Sequence, residues 1–444
     1  MNLPQSVTNC IAALEQAGLE AWCVGGCVRD HLLGLQPQDF DLCTNATPAQ
    51  MRLIFDAFPL VSAGEKHGTI GVIFGKEVVE ITTYRCDGAY SDSRHPDAVQ
   101  FVRSLEEDLA RRDFTVNAMA YSPKRGLQDP FGGQKDLRAG VIRAVGDARK
   151  RFQEDALRIL RGMRFAARLG FAIEDATFDA MLAEKGRLDS LARERVFSEL
   201  SQLLIAADAA HLLRYAPLIA QVIPELASAI GFDQHSPHHA FDIYTHICHV
   251  VEAAPRELAL RWAALLHDVG KVATYAPDET GRGHFYGHAK VGAAMAEEIL
   301  LRLKAPTQLR IQVKDLIARH MTLLTPDKKL LRRRLSQYGV EGVQNLLALQ
   351  QADFGSKGVI GDDPDPGFRE IERMTEELLQ ENTCLRVKDL AVSGSDLIAL
   401  GFQPGKALGD CLNYLLAAVL EEQIPNEKEA LLSLAEKELQ AVRL

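Results

Sequence analysis

The sequence predicts an α+β protein: a small mixed sheet with helices at the N-terminus, followed by an all-α remainder. Three observations carry this. Residues 21–41, A-W-C-V-G-G-C-V-R-D-H-L-L-G-L-Q-P-Q-D-F-D, read as a strand, a glycine turn into a helix, and a second strand. Residues 69–74 and 78–83 are β-branched runs split by Gly75-Lys76, the pattern of a hairpin. From about residue 150 the apolar residues recur with helical spacing and continue so.

At 444 residues the chain has room for two to four domains. It is 47 % hydrophobic and 25 % charged, an ordinary soluble balance. The net charge of −10 excludes a generally basic protein, so nucleic acid would have to meet local patches. The start, M-N-L-P-Q-S-V-T-N-C, has no charged segment leading an apolar one, and no run of 18 apolar residues occurs, so neither a secretory signal nor a membrane span is expected. The eight cysteines form no C-x-x-C, and they suit small buried residues in a reducing cytoplasm.

In chain order, residues 6–19 form an amphipathic helix with Val7, Ile11 and Leu14 inward and Gly18 closing it. Thr47 caps a helix over 48–58, with Pro48 in its first position. Residues 85–97, R-C-D-G-A-Y-S-D-S-R-H-P-D, read as a mobile polar loop. In 105–121, Arg111, Arg112 and Asp113 precede an apolar run, and D-P-F-G-G-Q-K-D-L over 129–137 ends the strand-bearing part in a glycine turn.

The chemistry concentrates in three places. Asp39 and Asp41, two apart in a strand, face one side and offer paired hard oxygen ligands for Mg²⁺. Gly25 and Gly26 let backbone N–H groups approach a phosphate. Together they suggest metal-assisted phosphoryl or nucleotidyl transfer. Glu80, in the hairpin, could add a third carboxylate, although a solvated strand residue is the commoner explanation. The second place is R-F-Q-E-D-A-L-R-I-L-R-G-M-R-F-A-A-R. There Arg158, Arg161, Arg164 and Arg168 share a helical face with Glu154 and Asp155 close by. Residues 138–168 hold nine basic and three acidic side chains, and after Asp155 the row lacks the acids four positions apart that usually offset it. An anionic ligand is therefore favoured over a solvated face. The third place is histidine-rich: nine of thirteen fall between His235 and His320. His267-Asp268 ends an apolar helix, with His246 upstream and His288, His320 and Asp353 downstream. That set suits a metal site, whereas a lone histidine would more often be a satisfied core residue. The run D-K-K-L-L-R-R-R over 327–334 is basic, and 361–368 reads as a linker. Gly405-Lys406 is read as a plain helix start.

Taken as an ordered set, G-G-C-V-R-D with D-F-D, R-R-D-F-T-V-N-A-M-A, D-P-F-G-G-Q-K-D-L and E-D-A-L-R-I-L-R-G-M-R-F resemble the bacterial class II tRNA nucleotidyltransferases, the CCA-adding enzymes, relatives of bacterial poly(A) polymerases. The likeness covers roughly residues 1–230, and the tail from residue 390. The middle resembles the HD phosphohydrolase superfamily, with His246, His267, Asp268 and Asp353 in its ligand order and His288 and His320 matching extra histidines of some members. The resemblance implies a nucleotidyltransferase head over 1–145, a helical neck carrying a nucleotide template over 146–228, an HD domain over 229–360 and a helical, tRNA-binding tail over 361–444. It implies that Asp39 and Asp41 hold Mg²⁺. Gly26, Arg29 and Arg112 would contact the nucleotide, Arg112 as part of the catalytic set, and Asp155 and Arg158 would read the base with Arg161 and Arg164 assisting. It implies a second divalent metal in the HD site, CTP and ATP as substrates, tRNA as partner, no membrane, and a cytoplasmic location. No protein partner is legible.

The implied template has a physical logic. Arginine only donates hydrogen bonds and ionised aspartate only accepts them. Cytosine and adenine each place an amino donor beside a ring-nitrogen acceptor and suit an Asp–Arg pair. Uracil and guanine place a carbonyl where aspartate needs a donor, and unmatched buried groups make rejection strong. CC-adding members lack a loop that 85–96 provides, and a long basic C-terminal extension of the polymerase kind is missing. Both points favour full CCA addition. A-adding enzymes, poly(A) polymerases, a principally HD phosphohydrolase and an RNA-binding protein with dead sites are the alternatives.

Overall fold

The structure is a computed structural model that describes residues 1–87, 99–236, 239–358, 367–381 and 384–443. The chain divides into two compact units: 1–230 with 299–305, and 231–298 with 306–444.

The first unit opens with α1 (Gln5–Gln16), whose Val7, Ile11 and Leu14 are buried as the spacing predicts. Gly18 at φ 78° ends it, with the Leu19 amide bonding back to the Leu14 carbonyl at 3.0 Å. Then come β1 (Ala21–Val24), α2 (Gly26–Leu32), β2 (Asp41–Thr44), α3 (Pro48–Ile54), β3 (Leu60–Val61), β4 (Thr69–Phe74) and β5 (Glu77–Thr83). Thr47 and Gln50 cap α3 reciprocally, but it stops a turn earlier than expected. A short ribbon, β6 (Arg85–Asp87) with β7 (Val99–Phe101), leads to α4 (Leu105–Ala110), β8 (Ala120–Ser122), β9 (Gly126–Gln128) and α5 (Gly133–Ala139). Most of the polar loop predicted between 85 and 97 lies outside the described residues, as does 361–366 of the predicted linker.

Seven strands make one sheet in the order β3-β4-β5-β2-β1-β8-β9. It is mixed, because β2 runs parallel to β5 while its other neighbours pair antiparallel. Register places the chemistry. Asp41 stands opposite Val24, the last residue before the glycines. Glu80 lies beside Asp41, because Leu42 pairs with Ile81. Trp22, Val24, Cys43, Tyr84, Leu109, Ala118, Ala120 and Val145 form the core under this end of the sheet. Each such apolar side chain contributes about 1.5–3 kcal/mol on burial.

One expectation changes here. Asp39 is not in a strand; β2 begins at Asp41. Gly25, at φ 74°, turns β1 away into α2, so residues before Asp41 have no ladder partner.

A two-stranded pair, β10 (Val141–Ile142) with β11 (Ala172–Ile173), brackets α6 (Ala148–Glu154) and α7 (Leu157–Leu169). The arginine-rich stretch is therefore two helices. Asp155 breaks it at φ −142°, ψ 102°, and its Oδ1 accepts the Leu157 amide at 2.9 Å, a side-chain bond that competes with helix continuation. Gly162 lets α7 press close: a Cβ there would lie 2.8 Å from Phe114 Cζ. α8 (Asp175–Glu184), α9 (Arg193–Ala206), α10 (Ala209–Arg214) and α11 (Ala216–Val222) follow.

The second unit is helical: α12 (Ile243–Ala253), α13 (Leu258–Leu266), most of α14 (His288–Arg302), α15 (Thr307–Arg319), α16 (Lys328–Gly355), α17 (Phe368–Gln380), α18 (Gly394–Ala399), α19 (Lys406–Leu420) and α20 (Lys428–Arg443). Most of the basic run at the start of α16 is spent on ion pairs, Lys328 with Glu377 and Glu381, Lys329 and Arg333 with Glu421, Arg332 with Glu422, while Arg334 bonds Gln337 and Tyr338. Among the described residues no helix is long and apolar enough to cross a membrane.

Candidate nucleotidyl-transfer site and histidine cluster

Two adjoining spaces lie in the first unit. The first, about 670 Å³, is lined by Gly25, Gly26, Arg29, Asp39, Asp41 and Asn117, with Arg164, Phe165 and Arg168 from α7. The second, about 590 Å³, is lined by Glu80, Arg85, Arg111, Asp155, Arg158 and Arg195. Arg112, Asp113 and Arg161 line both. Residues 25–41, 111–117 and 155–168, far apart in sequence, thus meet.

Asp39 and Asp41 reach solvent in the cleft, and the protein around Asp41, together with the like charge of Asp39, pushes its carboxyl up against the pull of Arg112. A divalent cation relieves that repulsion, and two carboxylates suit Mg²⁺. Glu80 and the same two aspartates also line a neighbouring hollow. The Gly25 turn and Arg112 are tightly fitted, since a Cβ on Gly25 would lie 3.2 Å from Arg112 Nη1. Arg112 Nη2 pairs with Asp108 at 3.3 Å, while its buried Nε has no hydrogen-bond partner among the described residues.

The arginines are more occupied than their spacing suggested. Arg29 is buried, donating to Asn117 Oδ1 at 2.7 Å and Asp30 Oδ1 at 2.8 Å. Asn117 in turn donates to Asp113 Oδ1 at 3.1 Å. Arg161 donates twice to Asp113 Oδ2, at 2.7 and 2.9 Å. Burial alone would push the Asp113 carboxyl up, but Arg161 and Asn117 outweigh it and hold it at about 2. Arg164 is buried against Glu199 at 2.6 Å. Arg158 bonds Glu154 at 2.9 Å and the Arg111 carbonyl at 2.9 Å. The acids missing at four-residue spacing are thus partly supplied by distant segments, and this corrects the expectation that the whole row awaits an anion. Arg168 is exposed and has no carboxylate partner among the described residues. The ring of Phe165 anchors the group, with the guanidinium carbons of Arg164, Arg161 and Arg29 4.3, 5.2 and 5.3 Å from its centroid.

The second unit brings its histidines together. His246 lies on α12, His267-Asp268 follows α13, His288 starts α14, His320 follows α15 and Asp353 lies on α16. His246, His267 and Asp268 form one close group; Asp268, His288 and His320 form a second that shares the aspartate. His246 Nε2 is 3.0 Å from Asp353 Oδ1. Each imidazole gives its Nδ1–H to a backbone carbonyl, of Ser356, Ala264, Phe285 and Ile317 respectively, at 2.7–3.2 Å. Carbonyls only accept, so this leaves Nε2 as a lone pair in the neutral ring. Yet Nε2 of His267 lies 3.4 Å from that of His246, and Nε2 of His288 lies 3.2 Å from that of His320. Facing lone pairs repel unless a proton or a metal cation sits between them: burial lowers the His267 imidazole but Asp268 and Asp353 outweigh it and raise it, so that ring can hold a proton, while the His288/His320 pair and Asp268 form a donor set that fits metal. Burial lowers His288 and takes His320 down to about 4, which keeps those rings neutral and able to ligate. Lys271 Nζ pairs with Asp268 Oδ2 at 2.7 Å.

A family model for the poly A polymerase head domain matches residues 21–143, and one for tRNA nucleotidyltransferase domain 2 matches 285–435. A CCA-adding enzyme of Streptococcus pneumoniae (strain CGSP14) is 34 % identical over 94 % of this chain and 93 % of its own length. This chain belongs to the CCA-adding enzyme family. A family member from Ligilactobacillus salivarius is 33 % identical over 99 % of this chain and 98 % of its own. The crystal structure of the Bacillus stearothermophilus enzyme in complex with CTP superposes with a TM-score of 0.74 at 28 % identity, covering 100 % of this chain and 99 % of that one. The chain is thus a nucleotidyltransferase, and its family works with divalent metal ions.

Sequence reasoning missed four members of the site. Asn117 and Phe165 carry no charge, although both sit inside quoted motifs. Asp113 was grouped with the arginines without a role. Arg195 lies beyond the last motif, and its only local signal was a basic residue at the start of a helix.

Proposed function

We propose that this protein adds and repairs the 3′-terminal CCA of tRNA, taking CTP and ATP without a nucleic-acid template. The observation that supports this reading is the shared wall of Arg112, Asp113 and Arg161 between the Asp39/Asp41 cleft and the Asp155/Arg158 space. Transfer and base choice are thereby next to each other but separate. Asp39 and Asp41 would hold Mg²⁺, which when bound activates the RNA 3′-hydroxyl and neutralises the triphosphate. Arg112, whose Nε has no hydrogen-bond partner among the described residues, offers donors to the phosphates. Asp155 and Arg158 read the base edge, with Arg161 and Arg164 holding the frame. Gly26 and Arg29 set the turn beneath the nucleotide. The tRNA is recognised by shape and backbone through local basic patches, in keeping with the net −10. We divide the chain finely into head 1–145, neck 146–228, HD domain 229–360 and tail 361–444, and we place the protein in the cytoplasm with its substrate. Incubation with tRNA lacking its 3′ end, Mg²⁺ and each labelled nucleotide tests the reading. CTP and ATP are expected to be incorporated; GTP or UTP entering as readily would refute it, and ATP alone would point to an A-adding enzyme.

A second activity is favoured by the facing imidazoles. We infer that His246, His267, Asp268, His288, His320 and Asp353 hold divalent metal and hydrolyse phosphomonoesters or 2′,3′-cyclic phosphates, with Lys271 beside them to meet the phosphate. Metal analysis of the purified protein is expected to find more than the head alone retains.

A further inference from the structure

A further histidine stands beside the histidine cluster of the second unit. His239 lies on the segment that leads into α12, and its ring packs edge-to-face on that of His246, with centroids 5.2 Å apart. Lys271, Asp268 and Asp353 are near enough for their charges to act on it. The segment is tied down. Gln234 donates to the Phe241 carbonyl at 3.1 Å. The Ala240 amide donates at 3.0 Å to the carbonyl of Lys357, beyond the end of α16, the helix that carries Asp353. His239 differs from the four imidazoles of the cluster in one respect. Each of those spends Nδ1 on a backbone carbonyl. The buried Nδ1 of His239 has no hydrogen-bond partner among the described residues. Polar atoms shielded from water are normally satisfied, so packing alone explains this nitrogen poorly.

The neighbouring groups have little left to give a phosphate. Lys271 Nζ carries three hydrogens and already meets Asp268 Oδ2 at 2.7 Å and Gln234 Oε1 at 2.8 Å, which leaves one. The carboxylates of Asp268 and Asp353 only accept, as do the oxygens of a phosphate ester. A second donor is therefore needed, and His239 holds the nitrogen that is unspent. We propose that His239 is a catalytic residue of the histidine-cluster hydrolysis, its Nδ1–H donating to a phosphoryl oxygen of the substrate alongside the remaining hydrogen of Lys271. This rests on the reading of the cluster as a phosphohydrolase site above. In that reaction water adds to phosphorus, the ester oxygen leaves with the bonding pair, and a proton from the water ends on the leaving oxygen. His239 keeps its hydrogen throughout. It acts by fixing the phosphoryl group and by stabilising the charge that builds on the oxygen it holds.

The test compares the full-length parent, His239→Ala, His239→Asn and His267→Ala, each supplied with Mn²⁺. Three quantities are read: metal bound per chain, inorganic phosphate affinity by calorimetry, and kcat/KM for a chromogenic phosphodiester. His239→Ala is expected to keep the parental metal content and melting temperature. It should weaken phosphate binding about tenfold, the scale of one hydrogen bond to a charged group. It should lower kcat/KM roughly a hundredfold, the scale of one donor lost at a charged transition state. His239→Asn, whose amide nitrogen also donates, should recover part of both. A fall in metal content with His239→Ala would make the residue a ligand and overturn the proposal. Parental phosphate affinity and hydrolysis in His239→Ala, with hydrolysis lost in His267→Ala, would also overturn it and leave the reading of the cluster standing. If the metal-loaded parent neither binds phosphate nor hydrolyses the ester, that reading falls and takes this proposal with it.

Discussion

The two sites are built by opposite strategies. The head site sits at the end of two inner strands and against a helix pair, and its carboxylates reach solvent while its arginines are mostly locked to acids from other segments. The histidine cluster is sunk among five helices, with the four ring Nδ1 atoms tied to backbone carbonyls and the four Nε2 atoms turned inward. One is an open cleft lined by carboxylates and by arginines mostly paired with acids. The other is a buried set of converging imidazoles and carboxylates. The two suit ligands of different size: a large substrate needs a cleft, whereas a small cation needs only converging donors.

If the sites are independent, each can be removed alone. Asp41→Ala is expected to cut nucleotide addition at least a thousandfold, the scale of losing a metal ligand at a charged transition state, with an unchanged circular dichroism spectrum. Metal bound in the histidine cage should be untouched, and addition near the parental rate would refute the role of Asp41. The reciprocal change, His267→Ala, should lower metal content and abolish hydrolysis of a chromogenic phosphodiester while CTP addition persists. Unchanged hydrolysis would remove the second activity from this chain.

A smaller effect separates the sites by acid. Asp113 is held at about 2, against about 3.9 for an ordinary aspartate, and so contributes about 2.5 kcal/mol. Because the folded value is the lower one, this stability is present above pH ~4 and is lost as pH falls toward 2. Asp113→Asn should bring about the same loss at neutral pH and flatten that acid limb in urea titrations. An acid limb identical to the parent's would show that Asp113 does not carry it.

Much of this was legible in the sequence, for physical reasons. The hairpin, the Gly25 turn and the Thr47 cap follow from local rules that hold whatever surrounds them. The histidine set was visible because imidazoles on otherwise apolar helices are conspicuous. The arginine row misled, because Asp113 and Glu199 come from 48 and 35 residues away and leave no trace at helical spacing. Asp39 was placed in a strand because alternation says nothing about whether a partner strand is still alongside. Arg195 was passed over for the same reason as Glu199: its meaning lies in what it faces.

Gly162 sets a limit on how such a site can change. Phe114, which a Cβ there would crowd, directly follows Arg112 and Asp113, and Gly162 itself directly follows Arg161. The missing side chain therefore works as a depth gauge between the two charged walls. Any larger residue would push Phe114 and α7 apart, and with them the segments that carry Arg112, Asp113 and Arg161, without touching a charged group.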